Sequence, residues 1–308
     1  MAWRENAKIT NLEVDKLKLN GPIQGAGFST GNVWYVDSGS GSDGGGKNGR
    51  TIDSPFATLD YAIGKCTASN GDIIYLLPGH TETLAASGNI ALLDVAGVTV
   101  IGLGIGTLIP TFNLGHASAT LSITAANCHL YNVRIVSTIA DVAVGITMGA
   151  ASDGSIVERC VFRDTAADKE MLVGISVAAL AVGVKLLYND FKTTAAAGGN
   201  NAILSAANTD LQVIGNTAYG KFATGAMLTS GVLTQATITD NIFVNAEAAI
   251  AIALNGTTST GILARNMLGG TTSIAAALTG DDAMWCFENY VTGAAAASGA
   301  LNPAVDAD

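Results

Sequence analysis

The stretch LLYNDF, residues 186–191, places an Asn three positions after one apolar residue and two positions before another. The same frame returns downstream as VIGNTA, ITDNIF, LARNML and CFENYV. The residues that share the central slot of these five frames are Asn189, Asn216, Asn241, Asn266 and Asn289. Upstream, Cys160 takes the slot, and Val133 and Leu103 take it in two weaker copies. A frame that recurs in this way predicts a repeat protein.

The spacing and the residues between the frames indicate the type of repeat. The central positions 103, 133, 160, 189, 216, 241, 266 and 289 are separated by 23 to 30 residues. Between them lie short alternating runs, such as VGISV (173–177) and AIAIAL (249–254), which are too short for helices and typical of β-strands. A strand-only unit of this length predicts an all-β parallel β-helix, one coil per unit, over residues 71–292.

The recurring Asn has a structural explanation in such a fold. Equivalent residues of successive coils lie about 4.8 Å apart, and an Asn at a turn tolerates left-handed backbone geometry. Each side-chain amide can then hydrogen-bond its neighbour in the next coil, which predicts a structural Asn ladder rather than a catalytic group.

Composition excludes several classes of protein. The net charge of −10 and the absence of a basic stripe argue against nucleic-acid binding. No run of 18 apolar residues is present, so we expect no membrane span. The start MAWRENAKIT is unlike a signal peptide, and the four widely spaced cysteines are typical of free thiols in a cytoplasmic product that is not secreted.

The alternating runs also suggest how the chain associates. Small residues occupy the positions that alternation places outward, namely Gly145, Thr147, Gly174, Ser176, Ala249, Ala251 and Ala253. A solvated strand face normally carries longer polar groups, so small neutral residues favour close packing against a sister subunit around a threefold axis. We therefore expect a homotrimer.

The two ends of the chain differ from the coils. Residues 33–70 predict a first strand, a Gly-rich loop and a cap helix with Ser54 as N-cap and Pro55 in the first turn. Residues 1–32 form a predicted extended N-terminal attachment arm, and residues 293–308 a C-terminal tail. The arm alternates charged residues with the apolar residues Ile9, Leu12, Val14, Leu17 and Leu19. Because so short a segment cannot form its own core, we expect it to attach to another surface.

Tests for cofactor and metal motifs are negative. The segment GSDGGGKN (41–48) resembles a phosphate-binding loop, but Asn48 replaces the required Ser or Thr. Asp37 and Asp43 lack the spacing of known calcium loops, and the three His residues show no metal-ligand spacing. The sequence therefore predicts no cofactor and no metal.

One cluster of acidic and basic residues breaks the repeat. Asp164, Asp168 and Glu170 lie in the loop FRDTAADKEM, with Arg159 and Arg163 nearby and Asp190 one coil later. Two carboxylates at a suitable separation could cleave a glycosidic bond. However, loop charges are commonly solvated, and the few aromatic residues fall mostly in core frames. The cluster leaves polysaccharide cleavage as an alternative, and no catalytic residue is assigned.

The segment 33–83, from VWYVDSGSGSDGGGKN through SPFATLDYAI to GDIIYLLPGHTET, resembles the beginning of right-handed parallel β-helix proteins of the pectate-lyase-like superfamily. That superfamily includes lyases, hydrolases and virion proteins, so the resemblance implies a fold more than a function. The charged arm and missing signal peptide resemble bacteriophage structural proteins such as capsid decoration proteins, head fibres and tailspikes.

This resemblance implies a non-enzymatic phage virion protein, most simply a capsid decoration or head-fibre protein bound through its arm. Its expected partners are two further copies of itself and the major capsid protein, with a host surface glycan as a further candidate ligand. The alternatives are a tailspike-type polysaccharide depolymerase and a receptor-binding protein.

Overall fold

The chain folds into a parallel β-solenoid whose coils each contribute one strand to three long sheets, named A, B and C in the order in which the chain visits them. The computed structural model describes residues 31–85, 88–166, 168–193, 199–246, 250–254, 258–270, 278–279, 284–293 and 299–301. The apolar residues of the predicted arm, Ile9, Leu12, Val14, Leu17 and Leu19, lie outside this part of the chain.

Sheet A has the strand order β1 (Val33–Val36), β2 (Ile73–Leu76), β5 (Thr99–Gly102), β8 (His129–Tyr131), β11 (Ile156–Glu158), β14 (Lys185–Leu187), β17 (Gln212–Ile214), β20 (Ala236–Thr239), β23 (Gly261–Ala264) and β26 (Met284–Phe287).

Sheet B follows with β3 (Thr81–Leu84), β6 (Thr111–Leu114), β9 (Arg134–Ser137), β12 (Val161–Asp164), β15 (Asp190–Lys192), β18 (Thr217–Gly220), β21 (Ile242–Asn245), β24 (Met267–Gly270), β27 (Asn289–Gly293) and β28 (Gly299–Leu301). Sheet C contains β4 (Gly88–Leu93), β7 (Ala119–Ile123), β10 (Val142–Met148), β13 (Met171–Val177), β16 (Asn201–Ser205), β19 (Met227–Thr229), β22 (Ile252–Leu254) and β25 (Leu278–Thr279).

The pairing and the core confirm the predicted all-β parallel β-helix. Described strands pair in parallel with their equivalents in the neighbouring coils, and only β27 with β28 is antiparallel. Alternate residues point into the solenoid, where Phe112, Phe162 and Phe243 are among the largest buried side chains. Because each coil buries apolar side chains against the coils on either side, the core is continuous along the solenoid.

The corner between sheets A and B is a two-residue turn. After β14, Tyr188 adopts a positive φ of 54° and Asn189 follows directly before β15. The same left-handed residue precedes the later Asn of the frame, for example Asp240 with φ 61° and Arg265 with φ 54°. The Asn of LLYNDF is therefore the inward residue of a tight corner, which explains the constant number of residues around it.

The helix begins later than the sequence predicts. Helix α1 spans Leu59–Ile63, and its N-cap is Thr58, whose side chain accepts a hydrogen bond from the Tyr61 amide. Ser54 is not the cap, because its hydroxyl accepts from the Asn48 amide within the loop. Residues 55–57 are instead extended: the Phe56 amide donates to the Tyr35 carbonyl and its carbonyl accepts from the Asp37 amide. This pairing with β1 prevents a helix from starting at Pro55.

Helix α1 packs on the first coils of the solenoid. Leu59, Ala62 and Ile63 are buried and belong to the same apolar core as the strands. Below the helix, the Glu82 carboxylate accepts hydrogen bonds from the Leu59 amide at 2.7 Å and from His80 Nε2 at 2.8 Å. Among the described residues, no helix has the length and hydropathy needed to cross a lipid bilayer.

Two glycines that the alternation places outward lie inside. A Cβ atom on Gly145 would stand 2.9 Å from the Met171 sulfur and 3.4 Å from the Phe162 ring, and one on Gly174 would stand 2.8 Å from the Phe191 ring. Ala251 is also fully buried. The predicted small outward face is therefore wrong at these positions, and beside Gly145 and Gly174 the space is filled by Met171, Phe162 and Phe191. Thr147 and Ser176 remain partly exposed.

Candidate functional site

The five Asn residues of the repeat stack inside the A–B corner and are fully buried. Asn216 shows the pattern: its Oδ1 accepts from the backbone amide and Nδ2 of Asn189 at 2.9 and 3.0 Å, and its Nδ2 donates to the Leu186 carbonyl at 2.8 Å. Asn241, Asn266 and Asn289 repeat these bonds with the preceding coil. Because both polar atoms are occupied and shielded, the stack holds coils in register and cannot contact a ligand.

Cys160 precedes this stack in the same slot. Its amide donates to Asn189 Oδ1 at 2.9 Å, as the Asn residues do with their successors. Burial raises the pKa of the Cys160 thiol to about 12, so the thiol stays protonated at neutral pH and is not a nucleophile.

The fold separates the charged residues that the sequence groups around 159–170. Arg159 lies at the A–B corner beside Glu158, and Arg163 on the outer face of sheet B pairs with Asp190. Asp168 is exposed in the loop after β12, whereas Glu170 is buried at the start of β13. Only Asp164, at the end of β12, lines a cleft. The cluster is therefore not one site.

This cleft lies where sheet B turns into sheet C. Its apolar lining includes Phe162 and Phe191, whose rings stack with centroids 4.4 Å apart and an interplanar angle of 14°. Phe222 and Met171 complete this part of the lining. Gly174 also lines the cleft. A larger residue at this position would collide with the Phe191 ring.

Polar groups from neighbouring coils line the rest of the cleft. Asp164 Oδ2 accepts from Thr193 Oγ1 at 2.8 Å. Asn201 Nδ2 donates to Thr224 Oγ1 at 2.9 Å and to the Gly225 carbonyl at 2.8 Å. Lys192 is exposed and makes no ion pair within the described part of the chain. The cleft thus combines a carboxylate, an ammonium group, a hydroxyl and an amide over buried aromatic rings.

The outer face of sheet B extends this polar surface. Asp190 pairs with the Arg163 guanidinium and accepts from Thr217 Oγ1 at 2.8 Å. In the next strand Tyr219 lies in register with Lys192, and its side chain is exposed. The sequence frames predict most aromatic residues in the core, and this prediction is wrong for Tyr188, Tyr219, Trp285 and Tyr290, all of which are more than half exposed.

The residues tested as metal ligands serve the fold. Asp37 accepts from Gly39 and Ser40, and Asp43 accepts from Ala57 and Thr58, so each carboxylate orders its own loop. His80 is buried and accepts from the Ser38 amide at Nδ1, which leaves the proton on Nε2 facing Glu82. Over the ranges that the structure describes, no group of three His, Cys, Asp or Glu residues is arranged to hold a metal ion.

A second polar group lies on sheet A, away from the cleft. His129 Nε2 is 3.1 Å from Glu158 Oε2 across adjacent strands, and the Tyr131 ring packs edge-on against the His129 ring. This pair is not among the groups predicted from the sequence. The interval of 29 residues between His129 and Glu158, about one coil, is the signal that could have done so.

Comparison with known proteins supports the fold. The chain is similar to the solved structure of a rhamnogalacturonan lyase, with 14% identity, a TM-score of 0.50, and coverage of 78% of this chain and 70% of that one. It is also aligned with a GH136 lacto-N-biosidase from Eubacterium ramulus, with 13% identity, a TM-score of 0.37, and coverage of 84% of this chain and 68% of the other. No family model matches the sequence, and no curated protein matches it.

The first of these similarities corrects one expectation. The sequence favoured a protein that is not an enzyme, and that expectation is wrong, because a solved structure that shares this fold is a rhamnogalacturonan lyase. The charge pattern of residues 1–32, on which a non-enzymatic role was based, does not bear on the solenoid itself, where the cleft lies.

Proposed function

We propose that this chain binds a polysaccharide in the cleft at the B–C corner and cleaves its glycosidic bonds. The observation that carries the proposal is the cleft lining, in which Asp164, Lys192, Thr193 and Asn201 surround the apolar rings of Phe162, Phe191 and Phe222. These rings are only 2 to 4% exposed, so they form an apolar base beneath the polar groups. A few convergent polar groups over an apolar base suit the hydroxyls of a sugar.

Each polar group has a defined chemical capacity. The Asp164 carboxylate can accept a proton from a sugar or water, and Thr193 fixes its orientation through the hydrogen bond at 2.8 Å. The Lys192 ammonium can neutralise a uronate carboxylate or a developing oxyanion. Asn201 is held by two hydrogen bonds from its amide nitrogen and so presents its amide oxygen in a fixed orientation.

The structural similarity to a rhamnogalacturonan lyase guides the choice of substrate for the test. Purified protein is incubated with rhamnogalacturonan and with polygalacturonate, and both reducing ends and ultraviolet-absorbing unsaturated products are measured. Unsaturated products indicate β-elimination, and reducing ends without unsaturation indicate hydrolysis. Neither product from either polymer, with no binding to them, contradicts the proposal.

Substitutions in the cleft locate the activity. We expect Asp164→Asn and Lys192→Ala each to lower kcat/KM by about 10²- to 10⁴-fold, the usual effect of removing an acid–base group. Asp168→Asn is the matched control, because that carboxylate is exposed in the adjacent loop and does not line the cleft. Equal losses in the Asp164 and Asp168 variants would place the activity elsewhere.

The placement in a phage virion, with the arm, a trimer and a major capsid partner, stays a prediction. A polysaccharide-cleaving solenoid agrees with the tailspike-type alternative of that prediction rather than with a decoration protein. The genes that flank this one test the placement: tail genes would support it, and a cluster of metabolic enzymes would contradict it.

A further inference from the structure

Four large side chains that are apolar or aromatic lie exposed on the outer face of sheet B, beyond the cleft. Tyr219 on β18 is 59% exposed, Ile242 on β21 43%, Met267 on β24 44% and Tyr290 on β27 51%. Single exposed apolar residues are common on protein surfaces, but a set that occupies four consecutive strands of one sheet is not explained in that way.

The strand register makes this set continuous with the cleft. Tyr219 is in register with Lys192, which lines the cleft. Ile242, Met267 and Tyr290 are directly opposite one another on neighbouring strands and form one column. With strands about 4.8 Å apart, the surface from β15 to β27 extends roughly 19 Å along the solenoid.

The chemistry of this surface differs from that of the cleft. Tyr219 itself belongs to a second column, where Val244 and Gly269 follow it, and neither column carries a charged residue from β18 to β24. A neutral surface of tyrosine, methionine and aliphatic groups suits the C–H faces of successive sugar rings.

We propose that Tyr219, Ile242, Met267 and Tyr290 form a polymer track, which binds the part of a long glycan that extends beyond the cleft. This inference rests on the proposed function, because the cleft supplies the anchored end of the track. It adds that the ligand is a polymer several sugars long, and that its affinity increases with chain length until the track is filled.

The test separates the track from the cleft. Affinity electrophoresis in gels that contain rhamnogalacturonan or polygalacturonate measures polymer binding, and calorimetry with short oligosaccharides of the same polymer measures binding at the cleft. For the double variant Met267→Ala, Tyr290→Ala, we expect polymer affinity to fall about tenfold, since aromatic and Met contacts supply only weak individual terms. Binding of short oligosaccharides stays within twofold of the wild type.

Trp285→Ala is the control variant. Trp285 lies on the same last coil and is 76% exposed, but it belongs to sheet A rather than sheet B. Polymer binding that falls equally in the Trp285 variant would show unspecific adhesion to exposed aromatic groups and would overturn the track.

Three further outcomes are decisive. Loss of polymer binding in Lys192→Ala with no change in the double variant overturns the track and leaves the proposed function intact. No retardation of the wild type by either polymer overturns both. A change of molar mass by light scattering in the double variant, without a change in polymer affinity, would identify the surface as a contact between copies of the chain.

Discussion

At the scale of the residue, the Asn in the middle of the stack is the most constrained position. Asn241 Nδ2 donates to the Val213 carbonyl and to Asn266 Oδ1, and Asn241 Oδ1 accepts from the amide and side chain of Asn216. None of these groups is reached by water, because the stack is fully buried. Each therefore depends on the protein alone for its hydrogen bonds.

Replacing Asn241 by Leu tests this dependence. The substitution keeps the volume but leaves the Val213 carbonyl and the Asn216 amide without a partner, at about 1–3 kcal/mol for each buried group. We expect a clear fall in the thermal midpoint, followed by circular dichroism. The control is Asn113→Leu, because Asn113 is a partly exposed residue on the outer face of β6, whereas Asn208 is buried. We expect this control to change the thermal midpoint little. Equal shifts would contradict a special role for the stack.

The Asn slot could be predicted from sequence because a two-residue corner keeps a fixed number of residues on each side of it. The partners of Asp164 and Lys192 were harder to predict, since they lie one coil away. Asp164 bonds to Thr193, 29 residues later, and Lys192 faces Tyr219 in the next strand. Adding one repeat length to each polar residue would have found both pairs, whereas grouping by proximity along the chain joined Asp164 to Asp168 and Glu170, which the fold separates.

At the scale of the element, the strands of sheet C were the hardest to orient. In β10, Gly145 and Ile146 are buried one after the other, and in β13 the same is true of Gly174 and Ile175. Strict alternation fails where two successive residues are buried, so the pattern assigned these glycines to the wrong side. The sequence showed that a strand was present but not which of its faces the aromatic rings of sheet B would fill.

Gly174→Ala measures this orientation. The added Cβ would stand 2.6 Å from the Ala202 carbonyl oxygen and 2.8 Å from the Phe191 ring, so backbone or ring must move. We expect a loss of roughly 1–3 kcal/mol in the free energy of unfolding, the usual result of overpacking. Ser176→Ala, two residues along the same strand and partly exposed, should change stability by less than about 0.5 kcal/mol. If Gly174→Ala left the stability unchanged, Gly174 would have to face outward, as the sequence pattern predicts.

The turn between helix α1 and β2 depends on one ionised carboxylate. Burial acts to raise the pKa of Asp72. Hydrogen bonds from the Thr67 and Asn32 amides and from the Asn70 side chain have the larger combined effect, and they hold the pKa below its ordinary 3.8. A lowered pKa means that the contribution of Asp72 to stability is complete above the unfolded-state pKa of about 3.9 and is lost as the pH falls through the folded-state value.

Asp72→Asn tests this contribution by its pH dependence. At pH 7 we expect a lower thermal midpoint than that of the wild type, because the neutral amide is a weaker acceptor for these donors. Below about pH 4 the difference between the two proteins should narrow, since the wild-type carboxylate also becomes neutral. A difference that stays constant from pH 7 to pH 3 would show that shape, and not charge, holds the turn.

At the scale of the whole molecule, sheet C presents an outer column without charge. Thr147, Ser176, Leu204 and Leu228 are paired across successive strands, and each is partly exposed. Gly145 and Gly174 are not part of this face. The column becomes apolar in its later coils, where Leu204 and Leu228 follow Thr147 and Ser176. We propose this column as the surface on which the expected homotrimer packs, since contact there would not cover the cleft or the outer face of sheet B.

Light scattering of the intact protein tests the trimer. A chain of 31.1 kDa should give a molar mass three times that value, and Leu204→Lys combined with Leu228→Lys should return it to that of one chain. The added charges would face each other in a desolvated interface, which is unfavourable unless they are paired. Leu180→Lys is the control, because Leu180 is exposed in a turn after β13 and outside this column. A wild-type mass of one chain contradicts the trimer, and dissociation by the Leu180 variant as well would show that the interface lies elsewhere.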